Sequence, residues 1–193
     1  MSNGVSIPER IVMAAAVAML VTVPLHGQDA PPQAPRFTIS GTSTVRAWSC
    51  PAEGRVKVAA GKGRPAPGLP AGVGGVTVTV PVAAIACDTP LMNDHLRETL
   101  NAAAHADIVY ELTDYTMTGP DTAHATGTLT VNGVTKPMAL DVKLASSPQG
   151  VRATGETTID MTQYGVTPPA VFDGMLKVGK DVRVKFDAVL PAR

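Results

Sequence analysis

Aromatic side chains are scarce in this 193-residue chain: one Trp, three Tyr and three Phe. A base-stacking platform or a carbohydrate groove draws on more of them. Net charge is missing too. Lys plus Arg and Asp plus Glu number 16 each, so no excess of one sign points to nucleic acid or an anionic membrane surface. No nucleic-acid partner is expected. The apolar run Ile11 to Leu25 is short for a membrane span, which takes ~20 residues. Catalytic signatures are absent as well: no HExxH, GxSxG or phosphate-cradling glycine loop occurs. Cysteine is down to Cys50 and Cys87.

The short apolar run follows Arg10 and precedes small residues near Gly27. That order of charge, apolar core and small residues is the pattern of a secretory signal peptide. We read 1–27 as signal peptide and 28–35 (QDAPPQAP) as a disordered leader. An uncleaved membrane anchor is the alternative. No Cys follows the run, so a lipoprotein anchor has no attachment residue. The expected localisation is periplasmic or secreted, with no stable membrane span after cleavage. In an exported chain an even Cys pair points to a disulfide. Joining Cys50 to Cys87 closes a loop of 37 residues, worth ~3–4 kcal/mol on the chain-entropy model. Two separate buried thiols, or half of a metal site, are the other readings.

Thr and Val abound, and the mature chain alternates. The clearest signal is Asn132-Gly133, set between two alternating runs. Both central residues of a type I′ turn need φ > 0, which Asn-Gly tolerates. A two-residue turn pairs Val131 with Val134, Gly127 with Met138 and Ala125 with Leu140. The apolar sets then share one side of the ribbon, and that side needs a cover. Alternation supplies it. Arg36–Trp48 reads as strand one, with Phe37, Ile39, Val45 and Ala47 on one face. Glu53–Ala60 is a shorter strand, Val76–Ala86 carries Val78 and Val80, and Asp107–Met117 carries Ile108, Tyr110 and Leu112. After the turn come Met138, Leu140 and Val142. Gly150–Thr162 adds Ile159, and Asp181–Leu190 adds Val184 and Phe186. Pro81 predicts a bulge or strand end. Gly61–Gly75 is a Gly/Pro loop. Thr89–Ala104 reads as the one helix, with Thr89 as N-cap and Pro90 at the first helical position. Gly165–Gly179 is irregular, with a helical turn at Phe172–Leu176.

Eight strands without a βαβ rhythm predict an all-β, antiparallel fold. Eight can close into a barrel that holds side chains or one ligand; a two-sheet sandwich is the alternative. Many inward positions are Ala, Gly, Val or Thr. They leave room for a ligand unless the barrel flattens and packs solid.

Several stretches resemble the YceI-like family of exported lipid-binding proteins. Ser40–Trp48 (SGTSTVRAW) resembles its opening strand, and Asn93-Asp94-His95-Leu96-Arg97 its D-x-H-L-R helix motif. Gly127–Pro137 (GTLTVNGVTKP) resembles its G-x-L-T-x-x-G-V-T-K-P hairpin, the most specific match. Thr158–Gly165 (TIDMTQYG) resembles its T-I-x-R-x-x-F/Y-G segment, and Gly179–Phe186 its last strand. The resemblance spans about 36–190 and sets the domain at 36–191. It implies an eight-stranded, lipocalin-like antiparallel barrel, one short helix covering one end, and an apolar interior for an isoprenoid or similar amphiphile. The chain departs from the family where Leu100–Asp107 lacks the usual aromatic pair and Pro. Met161 also stands where Arg is usual, and the Cys pair and the Gly/Pro loop are not general features.

The functional expectation is a non-enzymatic, exported protein without cofactor or metal, which carries or sequesters a hydrophobic ligand. The binding residues are the inward ones: Phe37, Ile39, Val45, Val78, Val80, Tyr110, Leu112, Leu129, Met138, Leu140, Val142, Ile159, Val184 and Phe186. The hairpin register turns Lys136 the same way as Met138, near the rim, where its ammonium could meet an anionic headgroup; a bulge at Pro137 would turn it to solvent. Two alternatives stand beside this reading. One is a hydrolase or metal-dependent enzyme using Asp94 and His95, although neighbours on a helix do not face each other and the pair more simply fastens the helix to the barrel. The other is a ligand-free structural or stress-response barrel. A homodimer is left open.

Overall fold

The computed structural model describes residues 33–59, 65–67, 72–171 and 173–191. The expected signal peptide, most of the leader, and much of the Gly/Pro loop lie outside the described residues.

The Asn132-Gly133 turn organises the middle of the fold. Asn132 has φ 48° and Gly133 φ 74°, the pair of positive values a type I′ turn requires. It joins β6 (Thr122–Val131) to β7 (Val134–Ser147). Their register runs unbroken from Val131↔Val134 through Gly127↔Met138 and Ala125↔Leu140 to Thr122↔Lys143. Pro137 sits opposite Thr128 without a bulge. It is tolerated because β7 meets β8 (Gly150–Asp160) only from Val142 onward, so beside Pro137 the strand has no β8 partner to lose.

The other strands are β1 (Arg36–Thr42), β2 (Ala47–Glu53), β3 (Arg55–Ala59), β4 (Gly75–Pro81), β5 (Asp107–Met117) and β11 (Asp181–Pro191). A small separate hairpin pairs β9 (Ala170–Val171) with β10 (Leu176–Lys177). The main sheet is antiparallel and runs β2-β1-β11-β8-β7-β6-β5-β4-β3. Its two edges are consecutive in the chain, parted only by Gly54. One bent strand thus supplies both edges, and the sheet curls into a barrel, with an Ala52↔Ile85 bridge joining the end of β2 to the segment after β4. Taking β2 and β3 as that one bent strand gives the eight expected. The barrel stands, not the sandwich.

Two local readings are corrected, and one strand carries a slip that the pattern did not show. Strand one does not run to Trp48: it turns back at Ser43–Arg46, and Thr42 pairs with Ala47. No Gly or Pro marks this turn. The Ser43 hydroxyl holds it instead, donating to the Arg46 carbonyl (2.7 Å) and accepting from the Arg46 N–H (3.1 Å). The reversal changes the parity, so Trp48, Cys50 and Ala52 face inward and Ala47 is exposed. In β5 the register slips between Leu112 and Asp114. That slip moves the inward face from Tyr110 and Leu112 to Tyr115, which is buried. Finally, a turn at 173–175 within the β9–β10 hairpin stands where a helical turn was expected; Phe172 itself lies outside the described residues.

β4 ends at Pro81, as its ring requires. The helix α1 spans Pro90–Thr99, shorter than the periodicity suggested. The Thr89 hydroxyl accepts from the Met92 N–H (3.3 Å), and the chain leaves the helix where Asn101 takes φ 50°. No residue of α1 is fully buried. It lies on the barrel mouth with Met92 and Leu96 turned toward the interior. Beyond β8, Met161–Tyr164 makes a 3-10 turn beside the stretch of β7 that lacks a β8 partner. There Met161, Tyr164 and Val166 bury themselves against Leu129 and Val131.

Candidate functional site

Strand parity sends one side chain in two to the barrel interior. There they surround an apolar cavity of about 550 Å³, within the size range of small-molecule sites. Its wall takes Phe37 and Ile39 from β1, Val78 and Val80 from β4, and Tyr110 and Leu112 from β5. β6 and β7 add Leu129, Met138, Leu140 and Val142; β8 and β11 add Ile159, Val184 and Phe186. Alternation alone had picked out each of these. Val45 also borders the cavity, but from the β1–β2 turn rather than a strand, and it is 69% exposed. Lys136 pairs with Leu129 in the expected register, yet it is exposed and outside the cavity wall.

The volume has a sequence origin. Ala123, Ala125, Ala153 and Ala188 are buried and face inward, where larger residues would fill the space. The wall also holds residues that alternation did not reveal. Trp48 and Cys50 enter through the parity change after the Ser43 turn. Leu96 and Leu100 come from the helical segment, and Tyr164 from the 3-10 turn. The apolar spacing of Leu96 and Leu100 was the one usable signal for these.

Cys50 and Cys87 are disulfide-bonded, and both border the cavity. The bond ties β2 to the segment that leads into α1. A second tie is the Asn93 side-chain carbonyl, which accepts from the Cys87 N–H (2.6 Å). The roles expected of Asp94 and His95 in fastening the helix fall instead to these groups and to the apolar contacts of Leu96 and Leu100. Asp94 is exposed and pairs with Arg97 one turn on (3.0 Å). His95 borders the cavity. His124 pairs across the strands with Asp141 (2.8 Å) on the outer face. The His105 ring packs over Gly133.

Among the described residues no charged side chain is buried. Nor do three His, Cys, Asp or Glu side chains come together as a metal-holding group. Polar character in the wall is sparse. Ser43, Arg46, Thr89 and His95 lie on or beside α1 and the β1–β2 turn; Tyr110, Thr157 and Tyr164 lie deeper. Burial pushes the phenol pKa of Tyr110 and of Tyr164 above the ordinary value, so both stay neutral. The Tyr110 hydroxyl is buried without a hydrogen-bond partner. Such a chamber can take in an apolar chain.

The model of the YceI-like domain matches residues 32–190, nearly all of the described structure. The chain belongs to the YceI-like family. A UPF0312 protein from Ectopseudomonas mendocina (strain ymp) is 33% identical over 100 residues, 48% of this chain and 52% of that protein. The chain thus spans about half the length of this curated relative. The fold recurs in solved structures. BcnA of Burkholderia cenocepacia superposes with a TM-score of 0.63 at 17% identity, over 78% of this chain and 94% of that one. A polyisoprenoid binding domain from Saccharophagus degradans, described as implicated in plant cell wall breakdown, gives 0.63 at 11% identity, over 84% and 97%. At these identities the likeness shows a shared YceI-like barrel.

Proposed function

We propose that the protein is a non-enzymatic carrier or sequestering protein that holds an isoprenoid-type or other long-chain amphiphilic lipid in its barrel. The observation that carries this reading is the cavity: about 550 Å³ walled almost wholly by apolar side chains from every long strand. Proteins seldom leave so large an apolar void dry and empty. Each buried methylene contributes ~0.8 kcal/mol, so a dozen buried carbons gain roughly 10 kcal/mol gross, before the costs of association. No bond need be made or broken. A YceI-like fold shared with a polyisoprenoid binding domain supports the ligand class. The signal-like N-terminus supports export to the periplasm or beyond.

Mass spectrometry of organic extracts from natively purified protein tests the reading. A co-purifying long-chain lipid is the expected result. A protein that is empty and also takes up no dansylaminoundecanoic acid from solution overturns it.

A further inference from the structure

Among the described residues, the exposed large hydrophobic side chains are Val45 (69%), Leu91 (59%) and Met175 (75%). They sit on three different elements: the β1–β2 turn, the first turn of α1, and the β9–β10 turn. These elements meet at one end of the barrel. Val45 and Leu91 border the cavity while facing solvent, which places them at its opening. Met175 is joined to the same rim through its backbone, because its carbonyl accepts from the Thr44 hydroxyl (3.0 Å). The Lys177 carbonyl accepts from the Thr44 N–H (3.0 Å). An apolar rim continuous with an apolar chamber gives a hydrocarbon chain a path that need not cross water.

The rim also carries cations. Arg46 follows Val45 and itself borders the cavity. Lys177 closes the β9–β10 hairpin. Both are exposed, and neither enters an ion pair among the described residues, whereas Arg97 on α1 is taken by Asp94. Asp88 and Asp173 are the acidic residues flanking the same loops. Scattered single exposed hydrophobics need no explanation, but three gathered around one opening mark an interaction site.

We propose that this rim docks on a lipid bilayer carrying anionic headgroups, with Val45, Leu91 and Met175 inserted at the interface and Arg46 and Lys177 against the phosphates. Passage of lipid through the mouth rests on the lipid-binding reading above; the docking itself does not.

Sedimentation with vesicles of neutral phosphatidylcholine, with and without anionic phosphatidylglycerol, tests the docking. The wild-type protein should bind the anionic vesicles, and less so as salt rises. The combined variant Val45→Ser, Leu91→Ser, Met175→Ser should bind at least tenfold more weakly with an unchanged thermal melt, since all three side chains are exposed. Met175→Ser alone, whose side chain is outside the cavity wall, should weaken vesicle binding and still take up dansylaminoundecanoic acid from solution. Arg46→Ala with Lys177→Ala should remove the preference for anionic vesicles. Undiminished vesicle binding by the triple variant overturns the proposal. So does a wild-type protein that ignores vesicles, or one that self-associates through the rim, as loss of a dimer in the triple variant would reveal. Equal binding to neutral vesicles overturns the part given to Arg46 and Lys177. Vesicle binding by a protein that holds no co-purifying lipid and takes up no dansyl probe would instead leave the docking intact and remove the lipid-carrier reading.

Discussion

The phenol ring of Tyr110 lies across Gly127 on the neighbouring strand. A β-carbon added at Gly127 would stand 2.9 Å from the Tyr110 oxygen and closer still to the Glu111 carbonyl. Glycine is thus required here by close approach, the ring using space that any side chain would occupy. Its backbone neighbour cannot swing aside. We predict that Gly127→Ala destabilises the fold by about 1–3 kcal/mol, as overpacking does. Urea unfolding, with the midpoint shifted and the slope unchanged, measures it.

The same pair sets up a second test. The Tyr110 hydroxyl is buried and has no hydrogen-bond partner, and a buried polar group left unmade costs about 1–3 kcal/mol. Tyr110→Phe removes that group and keeps the ring over Gly127. It should leave ligand-free stability unchanged or raised. A loss of stability above about 1 kcal/mol in the Phe variant would mean that the hydroxyl finds a partner, such as an ordered water, in solution.

The disulfide gives a third prediction. Cys50–Cys87 closes a 37-residue separation, and a bond of that span contributes about 3–4 kcal/mol on the chain-entropy model. It also fixes the approach to α1 at the cavity mouth. The double variant Cys50→Ser, Cys87→Ser should lose roughly that much stability. It should also release a bound dansyl probe faster, because the helix loses a covalent tie while Asn93 and Leu96 remain. Stopped-flow release kinetics separate this effect from global unfolding.

Acid should weaken the fold at a defined corner. Asp160 accepts from the Lys180 ammonium (2.7 Å), the Thr162 hydroxyl (2.6 Å) and the Thr162 N–H (3.0 Å). The Lys180 bond above all, then Thr162, holds its carboxyl at about 2. Asp187 is likewise lowered, first by its hydrogen bond from Arg152. A carboxyl with a lowered folded-state pKa adds stability above its unfolded value, near 4, and loses it as pH falls through the folded value. Stability should therefore drop between about pH 4 and pH 2. Asp160→Asn should flatten part of that slope while lowering stability at neutral pH, as seen in thermal melts across the range.

Much of this could be read beforehand, for physical reasons that differ by site. Asn132-Gly133 announced its hairpin because few residues accept two positive φ values in succession. Wall residues such as Ile39, Leu129 and Val184 followed, since parity in an unbroken strand fixes the face. Where the strand breaks, parity misleads. The Ser43 turn is made by a side-chain hydroxyl without Gly or Pro, so Ala47 was put on the inward face in place of Trp48 and Val45 was given to a strand. The slip after Leu112 hid Tyr115 in the same way. Tyr164 reaches the interior only because β7 and β8 part company at one end. That separation depends on the pairing of distant strands, which no local pattern carries.

The last prediction asks whether the cavity is real space or core in the making. Ala125 is buried (6% exposed), faces the chamber, and stands opposite Tyr115 on one side and Leu140 on the other. In a barrel packed solid, Ala125→Leu would force its neighbours off their rotamers and cost about 1–3 kcal/mol. Around an open chamber the added carbons find room, and their burial offsets the change by about 0.8 kcal/mol per methylene. We predict a stability within about 1 kcal/mol of wild type, together with reduced uptake of the dansyl probe because the larger side chain takes ligand volume. Stability and uptake measured on the same sample separate the two cases: a solid core gives the stability loss without any uptake to lose, whereas an open chamber gives the reverse.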